Sequence, residues 1–148
     1  MISFDTNLLL YALNRDCPEH RDARSFFEAL PAEPGRVAIC ELVLIELYVL
    51  LRNPVVIKNP LNASDAASLI QTFRRHPKWA LIDYPGPFSG VMENVWQLAA
   101  QPSVGRRVVF DARLALTLRH HGVTEFATRN TPHFADLGFA RVWNPLPG

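Results

Sequence analysis

Three carboxylates stand beside segments that read as core. Asp5 ends the apolar run that opens the chain and is followed by Thr6 and Asn7. Glu46 interrupts "LVLIELYVLL", with apolar residues on both sides. Asp111 lies in "FDARLALTLRHHG", ahead of an apolar helix face made by Leu114, Ala115 and Leu118. Two of them have an ordinary reading. Asp5 is a good N-cap for a helix starting at Thr6, and Asp111 suits a first helical turn, where the helix dipole favours an acid. Glu46 resists that reading. A charged carboxylate among apolar neighbours loses hydration unless it reaches solvent, pairs with a base or binds a cation. Glu41, at the start of the same segment, is adequately explained as a first-turn acid. Three acids brought close together repel one another unless something positive sits among them. A hard divalent cation serves, and oxygen ligands select Mg²⁺ or Mn²⁺. Such an ion can activate a water and stabilise a phosphorane-like transition state.

That chemistry requires elements that bring the three acids together. "ISF" (Ile2 to Phe4) reads as a buried strand leading straight into a short helix, "TNLLLYAL". Ala23, Phe26, Phe27 and Leu30 recur at helical spacing until Pro31. "RVAI" (Arg36 to Ile39) is a second strand, and "ELVLIELYVLLR" a helix apolar nearly all round, so deeply buried. After a loop at "VVIKNPLN", "SDAASLIQTFRRH" is helical with Ser64 as its N-cap. "WALID" is a third strand, "PFSGVMENVWQLAAQ" a helix and "PSVGRRVV" a loop. "FDARLALTLRHHG" is a helix closed by Gly122. "VTEFAT" is a fourth strand, "RNTPHFADLGF" a loop or short helix, and "ARVWN" a last strand. Strands alternating with helices predict an α/β fold, a three-layer-like sandwich around a mainly parallel sheet of four to five strands. With no repeat or linker, one domain over 1–148 is expected. In such a sheet Asp5, Glu46 and Asp111 can all reach the carboxyl edge, where ligands bind.

Composition sets the bounds. The 148 residues are 49% hydrophobic and 20% charged, which is globular and large enough for a core. Fifteen basic against 14 acidic residues give a formal charge of +1. Bulk electrostatics therefore do not announce a nucleic-acid binder, unless acids gather in a pocket with bases around it. Cys17 and Cys40 form no C-x-x-C pair and read as reduced thiols of a cytoplasmic protein. No basic n-region precedes the first apolar stretch, so a signal peptide is not expected. The longest nearly apolar run is too short and too charged to span a bilayer, and no membrane role is expected.

The stretches "FDTNLLLYAL", "ELVLIELYVLLRNP", "FDARLALTLRHHGV" and "FATRNTPHF", in this order and spacing, resemble the PIN-domain family over essentially the whole chain. Within that family the likeness is to VapC-type toxins of VapBC toxin–antitoxin pairs. "DTN" and "ATRN" are its most specific pieces. The resemblance implies a Mg²⁺-dependent endoribonuclease, with Mn²⁺ able to substitute, in which Asp5, Glu46 and Asp111 match three of the family's acidic positions. The fourth, after "TR", is often Asp and here is Asn130. An amide accepts hydrogen bonds but adds no charge. The cluster then carries three formal charges rather than four, which favours one metal over two. The family often has Asp where this chain has His133; His133 is read as a surface loop residue, and Asp136 is not expected to replace the missing acid. Thr6 and Asn7 flank the pocket, Thr6 either binding a metal-linked water or simply turning the chain.

RNA near an acidic pocket needs cations. Arg106, Arg107, Arg113 and Arg129 are candidates, with Arg113 and Arg129 placed nearest the site, against a reading as surface charge or ion pairs with the acids. Arg74, Arg75, His76 and Lys78 read as a solvated helix end, and His120 and His121 as cations at another. The resemblance also implies a homodimer and a cognate VapB-type antitoxin that blocks the pocket. Phe26, Phe27, Tyr48 and Trp96 are divided between a partner face and the core, mostly core. Other readings are weaker. A haloacid-dehalogenase-like phosphatase wants D-x-D at the start, where position 7 is Asn. A response-regulator receiver has Asp83 available but lacks its acidic partners. A PIN-like domain that binds RNA or a partner without cutting stays open because of Asn130.

Overall fold

The computed structural model describes residues 1–147. The chain runs β1 (Ile2–Phe4), α1 (Thr6–Leu13), α2 (His20–Glu28), β2 (Val37–Cys40), α3 (Glu41–Leu51), α4 (Ala63–Arg74) and β3 (Trp79–Ile82). After a single 3₁₀ turn at Pro87–Ser89 follow α5 (Val91–Ala99), α6 (Val108–His120), β4 (Glu125–Ala127), α7 (Thr131–Phe134) and β5 (Arg141–Trp143). The five strands form one sheet in the order β3-β2-β1-β4-β5, and every pairing is parallel. The α/β reading holds, with the sheet fully rather than mainly parallel. The connections run first one way from β1 and then back past it, and the right-handed rule for parallel crossovers then places helices on both faces.

The order reverses between β1 and β4, so the carboxyl ends of these two strands flank the switch point where open α/β sheets bind ligands. Phe4 pairs with Ala127, so Asp5 and Thr128 leave the sheet side by side. The Asp5 N–H donates to the Ala127 carbonyl at 2.9 Å and keeps them together.

Local chemistry explains the elements. β2 is buried at all four positions, the continuous apolar run expected of a strand covered on both faces. Phe4 is wholly buried, its ring 4.9 Å from Phe27 and 5.2 Å from Trp79. Phe26 packs on Phe27 and on Trp143. These aromatics knit α2 to the sheet, with Phe26 and Phe27 half-buried and packed against the core. Trp96 instead stands 61% exposed. Gly122 closes α6 with a positive φ of 92°, a conformation that suits glycine.

Strand ends shift by a residue or two from the sequence reading, and three outcomes on the helices have a local cause or consequence. The N-cap of α4 is Asn62, not Ser64: its side chain accepts from the Asp65 N–H at 2.8 Å, and the helix starts at Ala63. The stretch read as a loop through Val109 is already helical from Val108, and Asp111 lies in the first turn of α6, as its first-turn reading has it. α3 is not buried all round. Val43, Leu44, Leu47 and Leu51 face the core, while Ile45 and Val49 on the opposite stripe remain exposed. An apolar composition fixes no face, and here Ile45 and Val49 on the second one stay uncovered among the described residues.

Candidate active site

Asp5 reconciles its two sequence readings. Its Oδ1 accepts the Thr6 N–H at 2.8 Å and so caps α1. Its Oδ2 accepts the Thr128 hydroxyl at 2.8 Å. The same hydroxyl oxygen accepts the Asn130 N–H at 3.0 Å, so one threonine ties the first acid to the turn after β4. The cap costs the carboxylate nothing as a ligand, because each oxygen retains lone-pair capacity.

Asp5, Glu46, Asp111 and Asn130 line one cleft of about 270 Å³, together with Asn7, Phe110, Arg113 and His133. Four elements or their ends contribute: the β1–α1 junction, α3, the first turn of α6 and the turn after β4. Glu46 resolves its desolvation problem by opening onto this cleft and accepting the Thr6 hydroxyl at 3.2 Å. Thr6 therefore holds a carboxylate as well as starting a helix.

The electrostatics show charge that the protein does not fully neutralise. Burial pushes the Asp5 carboxyl above its ordinary value, against the hydrogen bonds from Thr128 and Thr6. Glu46 is raised by partial desolvation first, then by repulsion from Asp5, with smaller opposition from Thr6 and Arg107. Asp111 is raised by desolvation, offset by His133, and raised again by Asp5. Three desolvated acids, two of them raised further by the charge of Asp5, form a site suited to a cation.

The donor set is all oxygen, three carboxylates plus an amide, and this matches Mg²⁺ or Mn²⁺. In this conformation no three His, Cys, Asp or Glu side chains among the described residues are grouped to hold an ion. Thr6 and Thr128 instead hold Glu46 and Asp5 by hydrogen bonds. The chemistry of the site fits the ion, and the carboxylates are positioned around the cleft rather than gathered to a point.

The remaining candidates divide. Arg113 lines the cleft, its guanidinium 4.8 Å from the Tyr84 ring centre. Arg107 acts electrostatically on both Glu46 and Asp111. Arg129 turns elsewhere: it binds Glu19 at 2.6 Å and the Tyr11 hydroxyl at 3.1 Å, and is not among the cleft-lining residues. Of the two readings open for Arg129 an ion pair is the one formed, with Glu19 rather than with the acids of the cleft. His133 is exposed as read but not idle; its Nδ1 lies 3.5 Å from Asp111 Oδ2 at the cleft. Arg74, read as a solvated helix end, closes an ion pair with Glu41 at 2.6 Å. Sequence reasoning missed Thr128 and Phe110. Thr128 was signalled by its place in "ATRN", at the end of a strand parallel to β1; Phe110 by an aromatic directly before Asp111.

The comparisons agree with this geometry. The family model for the PIN domain matches residues 2–140. Ribonuclease VapC24 of Mycobacterium tuberculosis is 59% identical over 146 residues, covering 99% of this chain and 97% of that protein. Among solved structures, M. tuberculosis VapC20, described as a sarcin-ricin loop cleaving toxin, superposes with a TM-score of 0.65 at 17% identity, over 85% of this chain and 87% of that one. VapBC2 of Rickettsia felis, bound to a DNA fragment from its promoter, superposes at 0.57 and 18% identity, over 97% and 100%. At such identities the structures speak for the fold, and the sequence match carries the kinship. With the family model spanning nearly all of it and a VapC protein sharing more than half its residues, the chain belongs to the PIN-domain family and is of the VapC type.

Proposed function

We propose that the protein is a Mg²⁺-dependent endoribonuclease, the toxin of a type II toxin–antitoxin pair, with Mn²⁺ able to replace Mg²⁺. The observation that carries this is the convergence of Asp5, Glu46, Asp111 and Asn130 on one cleft at the sheet's switch point. The relative's name supports the reaction class. The toxin–antitoxin reading is supported by the VapC and VapBC descriptions of the structural neighbours. A VapB-type antitoxin and a homodimeric state, both implied by the family, complete the proposal.

Asp5, Glu46 and Asp111 would hold the ion, which when bound supplies positive charge to activate water and to offset charge on the phosphodiester. The chain's own residues do the rest. Thr128 and Thr6 fix the two carboxylates they bind. Asn130 offers an amide at the cleft, orienting by hydrogen bonds without adding charge. Arg113 and Arg107 bring cations to the rim, where RNA phosphates approach. Asn7 lines the same cleft from the start of α1.

The test is cleavage of a mixed pool of structured RNAs with Mg²⁺, Mn²⁺ or EDTA, wild type beside Asp5→Asn. Metal-dependent cleavage that disappears in the variant is expected. Folded wild type that binds RNA but cuts nothing under any metal overturns the nuclease and favours the second reading, a binding-only PIN domain. Asn130 at the usual fourth acidic position is the observation behind that reading, and Asn130→Asp then is the variant that restores cutting.

A further inference from the structure

Phe110 sits at the mouth of the acid cleft, directly before Asp111, and is 65% exposed. An exposed phenylalanine gains nothing from burial within the chain. The cation Arg107 lies with its guanidinium 5.3 Å from the ring centre. Arg106 adjoins it in sequence and is exposed, and Arg113 lines the same cleft. An exposed aromatic ring with a cation over it, beside a site for cutting phosphodiesters, matches the chemistry of an unpaired nucleotide: a flat base and a negative phosphate. The charge pattern selects this occupant over an apolar protein segment, which has no use for the arginines.

We infer that Phe110 is a stacking platform for an unpaired nucleobase next to the scissile phosphate, with Arg107 holding an adjoining phosphate. The inference rests on the ribonuclease reading of the site and deepens it to the substrate's local form. Inside a duplex each base is stacked on its neighbours and cannot lie on the ring. Phe110 therefore favours RNA whose base at the cut is unstacked, in a single strand or a loop. The ring takes no part in bond breaking; it positions the nucleotide.

The experiment measures RNA binding in EDTA, where cutting does not interfere. The probes are a short single-stranded oligouridylate carrying one fluorescent purine analogue, and the same strand paired to its complement. Wild type, Phe110→Leu, Phe110→Ala and Phe110→Trp are compared by anisotropy and by quenching of the analogue. Loss of one base–aromatic stack is expected to weaken single-strand binding by about tenfold or more in the Leu and Ala variants. Quenching disappears with it, Trp restores both, and duplex binding is unchanged. Phe110 is exposed, so Leu is accommodated, and an unaltered circular-dichroism melt verifies the fold. Single-strand binding and quenching equal in wild type and Phe110→Leu overturn the platform alone. So does equal loss on both probes. If Phe110→Leu instead leaves RNA binding intact but lowers the protein's sedimentation coefficient, the ring is a protein–protein contact and the inference falls. Wild type that binds neither probe nor the structured-RNA pool overturns the ribonuclease reading and the platform with it.

Discussion

Phe4 and Asp5 are neighbours in sequence and end in opposite environments. Phe4 goes under the sheet, wholly buried against Phe27 and Trp79. Asp5 is nearly as buried, at 9% exposure, but sits at the cleft with its charge held by two hydrogen bonds. The aromatic layer stabilises by removing apolar area from water. The cleft does the reverse: each of its acids is shifted against ionisation by burial, and Glu46 and Asp111 further by the charge of Asp5. One region holds the fold, and the other is held by it.

The largest effect should come from the aromatic side. Phe4→Ala is expected to cost about 3–5 kcal/mol, from lost transfer energy plus the cavity left among Phe27 and Trp79. Denaturant unfolding measures it. A cost below about 1 kcal/mol would break the division of labour, since it would mean that the layer under the sheet is not what holds β1 in place.

Asp5→Asn reverses the pattern. Cleavage is expected to fall by at least about a hundredfold, roughly 3 kcal/mol of transition-state stabilisation. Stability without divalent cations should not fall. The amide can still accept the Thr6 N–H, and the Thr128 hydroxyl can turn to accept from it. The sign of the pH dependence follows from the raised folded-state values. Stability from the three acids is fully present below the ordinary carboxylate range, near 3.8 for Asp, and lost as pH rises through the folded values. Thermal melts in EDTA at mildly acidic and neutral pH should therefore show a steeper loss in wild type than in Asp5→Asn. Mg²⁺ should recover more stability for wild type than for the variant. A parallel pair of pH curves would sink the account of Asp5 as an uncompensated charge.

These contrasts also show what the sequence could disclose. The alternation of elements and the three acids were readable because each follows a local rule: apolar periodicity for the elements, and a carboxylate beside apolar residues for the site. The strand order, and so the partnership of Asp5 with Thr128 across 123 positions, was not. It depends on which parallel strand lies next to β1, and single-strand patterns do not encode that. The partners of Arg129 and His133 were unreadable for a related reason. Both flank the turn after β4, and only the backbone path sends one toward Glu19 and the other toward Asp111. The burial of α3 was over-read because its composition is apolar on both stripes while the fold covers one.

Thr128 sharpens the boundary between the two regions, being buried like core and polar like the cleft. Thr128→Val keeps the shape and removes both the donor to Asp5 and the acceptor for the Asn130 N–H. Groups that orient a metal's ligands are typically worth 10–100-fold in affinity or activity. Mn²⁺ affinity, read by calorimetry, and cleavage should both fall by about that much. Stability should drop by only about 1–3 kcal/mol, for the Asn130 N–H left without its partner. Unchanged Mn²⁺ affinity would mean that Asp5 orients itself without help.

The smallest expected effect, that of Ile45→Ala, tests the comparison on a single helix. Leu44 and Ile45 are adjacent on α3, at 1% and 62% exposure. Leu44→Ala should cost about 2–5 kcal/mol, because a packed side chain leaves a cavity. Ile45→Ala should stay within about 0.5 kcal/mol, because its side chain already meets water. Alanine also has the better helix propensity, which offsets part of any lost contact. Unfolding at two protein concentrations makes the test discriminating. A loss for Ile45→Ala approaching that of Leu44→Ala, and growing with protein concentration, would mean that a second copy covers this stripe in solution. The exposed stripe would then be an interface, and α3 would be buried on both sides after all, its second cover coming from another chain.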